Sequence, residues 1–279
     1  MKVYETGNIR NVVVMGHGGC GKTTLVEAIA YQTGITARMG KVTDGNTISD
    51  YDKEEQKRQF SISTSVVPVE FEDIKINFLD TPGYFDFVGE VEEACHAAGA
   101  AVIVINGKSG VEVGTLKAWE LCEKYKLPRL FFVTGMDDDQ ASYRKIVLEL
   151  NDRFGRKVAP FHVPIRENEK FVGFVNVVKM KGRRFINDTS EYEECDIPDY
   201  MDKHLNISRD ALVEAVADTS EELMERYFAG EEFTYEEVST ALRTHVMDCQ
   251  IVPVLVGSGV HNQGTSMLMN VIKKYFPSP

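Results

Sequence analysis

The sequence predicts an α/β fold, a mostly parallel, doubly wound sheet that carries an inserted α+β subdomain. Three observations predict it. Strand and helix patterns alternate from the start of the chain. AAVIVIN (100–106) and RLFFVTG (129–135) are short, unbroken apolar runs of the kind buried parallel strands produce, and a helical pattern follows each. From residue 158 the pattern changes, and the first style returns only with IVPVLVG at 251–257.

Taken in order, Val12–Met15 reads as the first strand and a helix starts at about Lys22. Residues 36–63, polar and rich in turn formers up to Asp52, read as a mobile segment without much order of its own. Ser65–Phe71 and Lys75–Leu79 alternate as strands do, and Val88–Ala98 has helical spacing. Each apolar run then precedes a helix, at Thr115–Lys124 and Ala141–Phe154. VAPFHVPI (158–165) and FVGFVNVVKM (171–180) are strand patterns around the polar turn RENEK, and the acidic TSEYEECDIPDYMD (189–202) is expected to be irregular. Helices are expected near Asp210–Phe228, where Leu212, Val216, Leu223 and Tyr227 can share a face, and near Tyr235–Met247. GTSMLMNVIKKYF (264–276) closes the chain. The expected division is therefore a core of residues 1–157 plus 251–279, interrupted by an insert at 158–250.

Composition narrows the function classes. A net charge of −12 argues against a sequence-independent grip on nucleic acid by the whole surface, which needs clustered Lys and Arg. Five cysteines without a C-x-x-C pair indicate neither a zinc site nor a disulfide framework and suit a reducing compartment. No apolar run reaches the roughly 18 residues of a membrane span, and no apolar stretch follows the first Lys of MKVYETGNIR. The expectation is a cytoplasmic protein with no membrane partner.

The strongest local signal is Gly16-His17-Gly18-Gly19-Cys20-Gly21-Lys22-Thr23, which satisfies G-x-x-x-x-G-K-[ST] between a strand and a helix. Small residues there let backbone N–H groups close around an anion at a helix N-terminus. His17, Gly18, Gly19, Cys20, Gly21, Lys22, Thr23 and Thr24 are the expected phosphate-binding residues, with Lys22 on the β- and γ-phosphates and the Thr23 hydroxyl on Mg²⁺. This predicts a P-loop NTPase fold. Cys20, at a helix N-terminus, could carry a lowered pKa and a redox role, or could be a small residue filling a tight loop. A second signal follows in INFLDTPGYFDF (76–87): a strand ends in Asp80, placed like an acid that holds the Mg²⁺ hydration shell, and Gly83 can offer its N–H to a γ-phosphate.

With these residues the sequence resembles the translational GTPases, and most closely the first domain of elongation factor G. The resemblance runs from NIRNVVVMGHGGCGKTTL through DYDKEEQKRQFSI, LDTPGYFDF and FVTGMD to PVLVGSG and YFPSP. VPIRENEKFVGFVNVVKMK resembles the strand pair that begins that family's inserted subdomain, and Asp137 and Ser258 are 121 positions apart, more than a loop or one helix-strand unit requires. The resemblance implies GTP and GDP as ligands, Mg²⁺ as cofactor, Ser61 as a switch hydroxyl on the metal, and Asp137, Ser258 and Gly259 as readers of guanine. It implies the ribosome as partner, contact with the ribosomal stalk protein through the insert, and further domains beyond the final PSP.

Departures from the family pattern are as informative. Its guanine motif Asn-Lys-x-Asp is here Thr134-Gly135-Met136-Asp137. Thr134 lacks the bridging amide and Gly135 has no alkyl stem to lie over the base; each loss is worth roughly 1–2 kcal/mol, so guanine preference with weakened affinity is expected. Tyr84 stands where the family has the His that orients the attacking water, and with Lys22 and Gly83 it forms the expected catalytic set. Gly19 replaces an acidic residue, removing a charge that could hold a monovalent cation. A GTPase with slowed or altered hydrolysis is therefore expected. The alternatives are a non-hydrolysing module that docks on the ribosome and binds nucleotide weakly, and a P-loop phosphotransferase, which Asp80-Thr-Pro-Gly and Asp137 oppose. Asp138 and Asp139 read as a solvated helix start, and His96, His162, His204, His245 and His261 have no metal-ligand spacing.

Overall fold

The structure, a computed structural model, describes residues 2–186 and 189–279. Its first half follows the β1(Ile9–Gly16), α1(Lys22–Gln32), α2(Lys53–Arg58), β2(Ser65–Phe71), β3(Ile74–Asp80), α3(Val88–Ala97), β4(Ala100–Asn106), α4(Val113–Tyr125), β5(Arg129–Thr134), α5(Tyr143–Phe154) order. The second half adds β6(Val158–Pro160), β7(His162–Glu167), β8(Lys170–Asn176), β9(Lys181–Phe185), β10(Tyr192–Cys195), α6(Asp202–Ala217), α7(Glu221–Phe228), α8(Tyr235–Met247), β11(Val252–Val256) and α9(Thr265–Tyr275).

A seven-stranded sheet of order β2-β3-β1-β4-β5-β11-β6 forms the centre. Only the β2–β3 hairpin is antiparallel; the remaining pairs are parallel. Consecutive residues of β1, β4 and β5 are all buried, from Val12 to Met15, Ala100 to Ile105 and Arg129 to Val133. Side chains of a strand alternate between faces, so unbroken burial means that both faces are covered, which is why these strands read as continuous apolar runs. The predicted doubly wound α/β, P-loop type fold is the fold observed.

The insert departs from expectation in detail. Val158–Pro160 pairs in parallel with β11 as the edge of the central sheet, so the chain leaves that sheet after Pro160 and not at 158. The following antiparallel sheet has four strands in the order β10-β9-β8-β7. Lys181–Phe185 is a strand the sequence reading missed, and Tyr192–Cys195, expected to be irregular, pairs with it. The stretch near 210–228 is two helices: α6 ends at Ala217 and Ser220 restarts the chain, its side chain accepting the Leu223 N–H at 3.2 Å. Leu212 and Val216 are buried on α6, while Leu223 and Tyr227 pack against the core from α7.

Residues 36–63 are held by carboxylates that accept backbone N–H groups. The buried Glu27 carboxylate accepts the N–H groups of Gly40 and Ile48, each at 2.7 Å. Asp52 and Glu55 close a capping box on α2, and Glu55 also accepts from Ile62 and Ser63 at 2.9 and 3.1 Å.

Candidate functional site

The loop between β1 and α1 turns on glycines. Gly19 and Gly21 sit at φ +78° and +99°, in the left-handed region that side chains disfavour. Lys22, the first residue of α1, folds back over the loop and donates to the carbonyls of Gly16 at 3.1 Å and His17 at 2.9 Å. The loop after β3 meets it closely: a Cβ on Gly83 would lie 2.5 Å from Lys22 Nζ and 2.7 Å from Gly18 Cα. Thr81 ties that loop to β1 by donating to the Val14 carbonyl at 2.7 Å. These elements, with Thr23, Thr24, Ser61 and Tyr84, line a cavity of about 200 Å³.

The His17 side chain points away from this cavity. Its Nδ1 accepts the Gly114 N–H at 3.3 Å and its Nε2 lies 3.6 Å from Glu112, so the ring is turned toward the start of α4. Cys20 is buried, and burial pushes its thiol up from its ordinary pKa despite the Lys22 ammonium. Its burial favours the reading of Cys20 as a small residue filling a tight loop over the redox reading.

Two carboxylates and two hydroxyls gather beside Lys22. Ser61 Oγ lies 3.2 Å from Thr23 Oγ1 and donates to Asp50 at 2.7 Å. Asp80 is 1% exposed, and neither of its carboxylate oxygens has a hydrogen-bond partner among the described residues. Burial raises its pKa to about 6; Lys22 and, more weakly, the nearby Ser49 and Thr23 hydroxyls favour the charged form, while Asp50 opposes it. A buried, unsatisfied carboxylate beside a second one fits a divalent cation, which would satisfy both. Among the described residues no three His, Cys, Asp or Glu side chains cluster as a metal cage. Asp50 was not singled out in the sequence; the signal lay in DYDKEEQKRQFSI, where Ser61 alone was chosen.

The loops that carry the residues expected to read the base lie side by side. Gly257 N donates to Val133 O at 2.9 Å and Met136 N to Gly257 O at 3.2 Å, which locks the two loops together. Thr134 does part of the bridging: its hydroxyl accepts the Gly259 N–H at 3.4 Å, and its methyl lies 3.2 Å from where a Gly21 Cβ would be. Ser258 is fully buried and pairs with Gln263. One Asp137 oxygen is buried without a partner among the described residues, and the other lies 3.7 Å from His261 Nε2. An acceptor left unsatisfied in this way suits a ligand that brings donors.

A family model described as the elongation factor Tu GTP binding domain matches residues 7–278. The chain belongs to this family. The GTP-binding domain also superposes on the crystal structure of a Thermus thermophilus protein with a TM-score of 0.89 at 36% identity, over 98% of this chain. The chain spans 41% of the length of that relative. The resemblance to elongation factor G thus holds for this domain: it is an elongation-factor-G-like GTP-binding domain of the translational type, with a guanine nucleotide as its ligand. Among the described residues, no helix of the domain is long and apolar enough to cross a membrane.

Proposed function

We propose that this domain is the Mg²⁺-dependent nucleotide switch of a longer elongation-factor-G-like GTPase that acts on the ribosome in the cytoplasm. The observation that carries the reading is the buried Asp80 carboxylate, without a hydrogen-bond partner among the described residues, near Thr23, whose hydroxyl lies 3.2 Å from that of Ser61, on the loops that also hold Lys22 and Gly83. Thr23, Ser61 and, through water, Asp80 would hold Mg²⁺, with Asp50 as an outer acceptor. The cation would supply charge neutralisation on the phosphate oxygens.

The chain's own groups do the rest. Lys22 and the amides of residues 17–24 bind and orient the polyphosphate, and the Gly83 N–H senses the terminal phosphoryl. Asp137 accepts from the two donors on the guanine edge that adenine lacks, with Ser258 and Gly259 offering backbone to the carbonyl side. Tyr84 would orient the attacking water by its hydroxyl, but a phenol supplies no imidazolium, so hydrolysis is slower than with the family's His. The insert is a surface for the ribosomal stalk protein.

The experiment is phosphate release from GTP and from ATP, with and without ribosomes. GTP-specific release stimulated by ribosomes supports the proposal. Ribosome binding without release favours a docking module, the reading that Tyr84 supports, and equal use of ATP overturns the guanine assignment.

A further inference from the structure

A second cavity, of about 660 Å³, opens between the inserted sheet, α8, α9 and the β2–β3 turn, and it shares no lining residue with the phosphate-loop cavity. Five cations line it, Lys179, Arg183, Arg243, Lys273 and Lys274, against one carboxylate, Glu72. That is an unusual balance in a chain of net charge −12. Glu72 is already taken, at 2.6 Å from Lys273, which also pairs with Asp73. Among the described residues, none of the other four cations forms an ion pair with a carboxylate.

Arg183 is the informative one. It is 7% exposed, its Nε has no hydrogen-bond partner among the described residues, one terminal nitrogen donates only to the Met267 sulfur at 3.1 Å, and the guanidinium lies 4.5 Å from the Tyr192 ring centroid. Guanidinium stays charged in proteins, and a buried charge is retained where something satisfies it. Beside it, both ring nitrogens of His162 are buried without partners among the described residues. Burial and Arg183 keep that ring neutral, so it adds no competing charge. At the mouth, burial first and then the charges of Arg243 and Lys179 hold the Lys274 ammonium below its ordinary pKa.

We propose that this cavity binds a small phosphate-bearing anion, with the buried Arg183 fork at its floor and the cations Lys179, Arg243 and Lys274 around its mouth. A multiply charged anion relieves the repulsion among the cations, and the planar guanidinium matches phosphate oxygens two at a time. The space is that of a ligand pocket, roughly 300–1,000 Å³, large enough for more than one phosphate. Tyr235 on the wall, 42% exposed, offers an aromatic ring to a nucleoside.

The test is calorimetric titration of inorganic pyrophosphate into the chain carrying Lys22→Ala, which disables the phosphate loop. The result is thus independent of the GTPase reading. We expect binding to persist in Lys22→Ala and to weaken at least tenfold on adding Arg183→Gln or, at mouth positions that do not endanger folding, Arg243→Gln with Lys274→Gln. Lys117→Gln with Lys124→Gln, outside the cavity, serves as the charge control and leaves binding unchanged. ADP binding as well as pyrophosphate places recognition in the phosphates alone, and ADP binding tenfold tighter adds a base on a tyrosine; both support the site. Loss of all binding in Lys22→Ala, or binding indifferent to the Arg183 and mouth variants, overturns it.

Discussion

The hydroxyl end of the Tyr84 ring rests against Gly18: a Cβ on Gly18 would meet Cζ at 3.3 Å and both Cε atoms at 3.4 Å. Phe60 holds the other side, its ring centroid 4.7 Å from that of Tyr84. Gly18 is outside the left-handed region, so a substitution there tests space and not backbone strain. Gly18→Ile should push the phenol away from the phosphate cavity. The expected outcome, measured at saturating GTP, is at least a tenfold fall in the rate of GTP hydrolysis. Tyr84→His in the same background, with a shorter ring, should recover part of the loss. Single-turnover hydrolysis of the four combinations measures the coupling.

Asp80→Asn should separate metal binding from stability. In the nucleotide-free domain the variant removes a buried charge with no hydrogen-bond partner among the described residues, and the repulsion from Asp50, at the smaller cost of its attraction to Lys22. The melting temperature should rise by a few degrees, the response to about 1 kcal/mol in a chain of this size. With GDP and Mg²⁺ the order should reverse: the native domain gains stability and Asp80→Asn gains little, with Mg²⁺-dependent nucleotide affinity down at least tenfold. Thermal melts with and without Mg²⁺·GDP check both halves.

Thr134 and Gly135 make opposite predictions. Thr134 already links Gly259 to the Gly21 region, so Thr134→Asn keeps the bridge and adds an amide toward the base. It should tighten GDP binding about tenfold, or about 1.4 kcal/mol. Gly135 sits at φ +69°, where a side chain costs on the order of 1 kcal/mol, so Gly135→Lys should gain less than its stacking surface promises. Fluorescent GDP displacement distinguishes the two.

Much of the core and of the phosphate loop was legible because their signals are local. β4 and β5 are apolar on both faces, and the glycines and Lys22 of the loop act within a few residues of one another. What escaped depends on partners far along the chain. Lys181–Phe185 is broken by Gly182 and three basic residues, and it is a strand because β8 and β10 flank it. Val158–Pro160 looks like the start of the insert, and only pairing with β11, nearly a hundred residues later, assigns it to the central sheet. Asp50 has no motif of its own; it becomes part of the site through Ser61, 11 residues on. Thr134 read as a loss until the fold brought Gly259 to its hydroxyl.

His162 should set part of the acid limb of stability. Burial first, and Arg183 second, lower its pKa from 6.5 to about 3, and neither ring nitrogen has a partner among the described residues. The native state therefore resists protonation while the unfolded chain accepts it at about pH 6.5. Its contribution is fully present above that value and is lost progressively as pH falls from about 6.5 toward 3, with a ceiling of roughly 4–5 kcal/mol at 1.36 kcal/mol per pH unit. Phe fits the site, since His162 already packs on Phe174 with centroids 4.3 Å apart. His162→Phe should thus match the native domain near pH 7.5 and become the more stable of the two at pH 5. Urea denaturation at both pH values measures the difference, and equal pH slopes would show that His162 is not the group responsible.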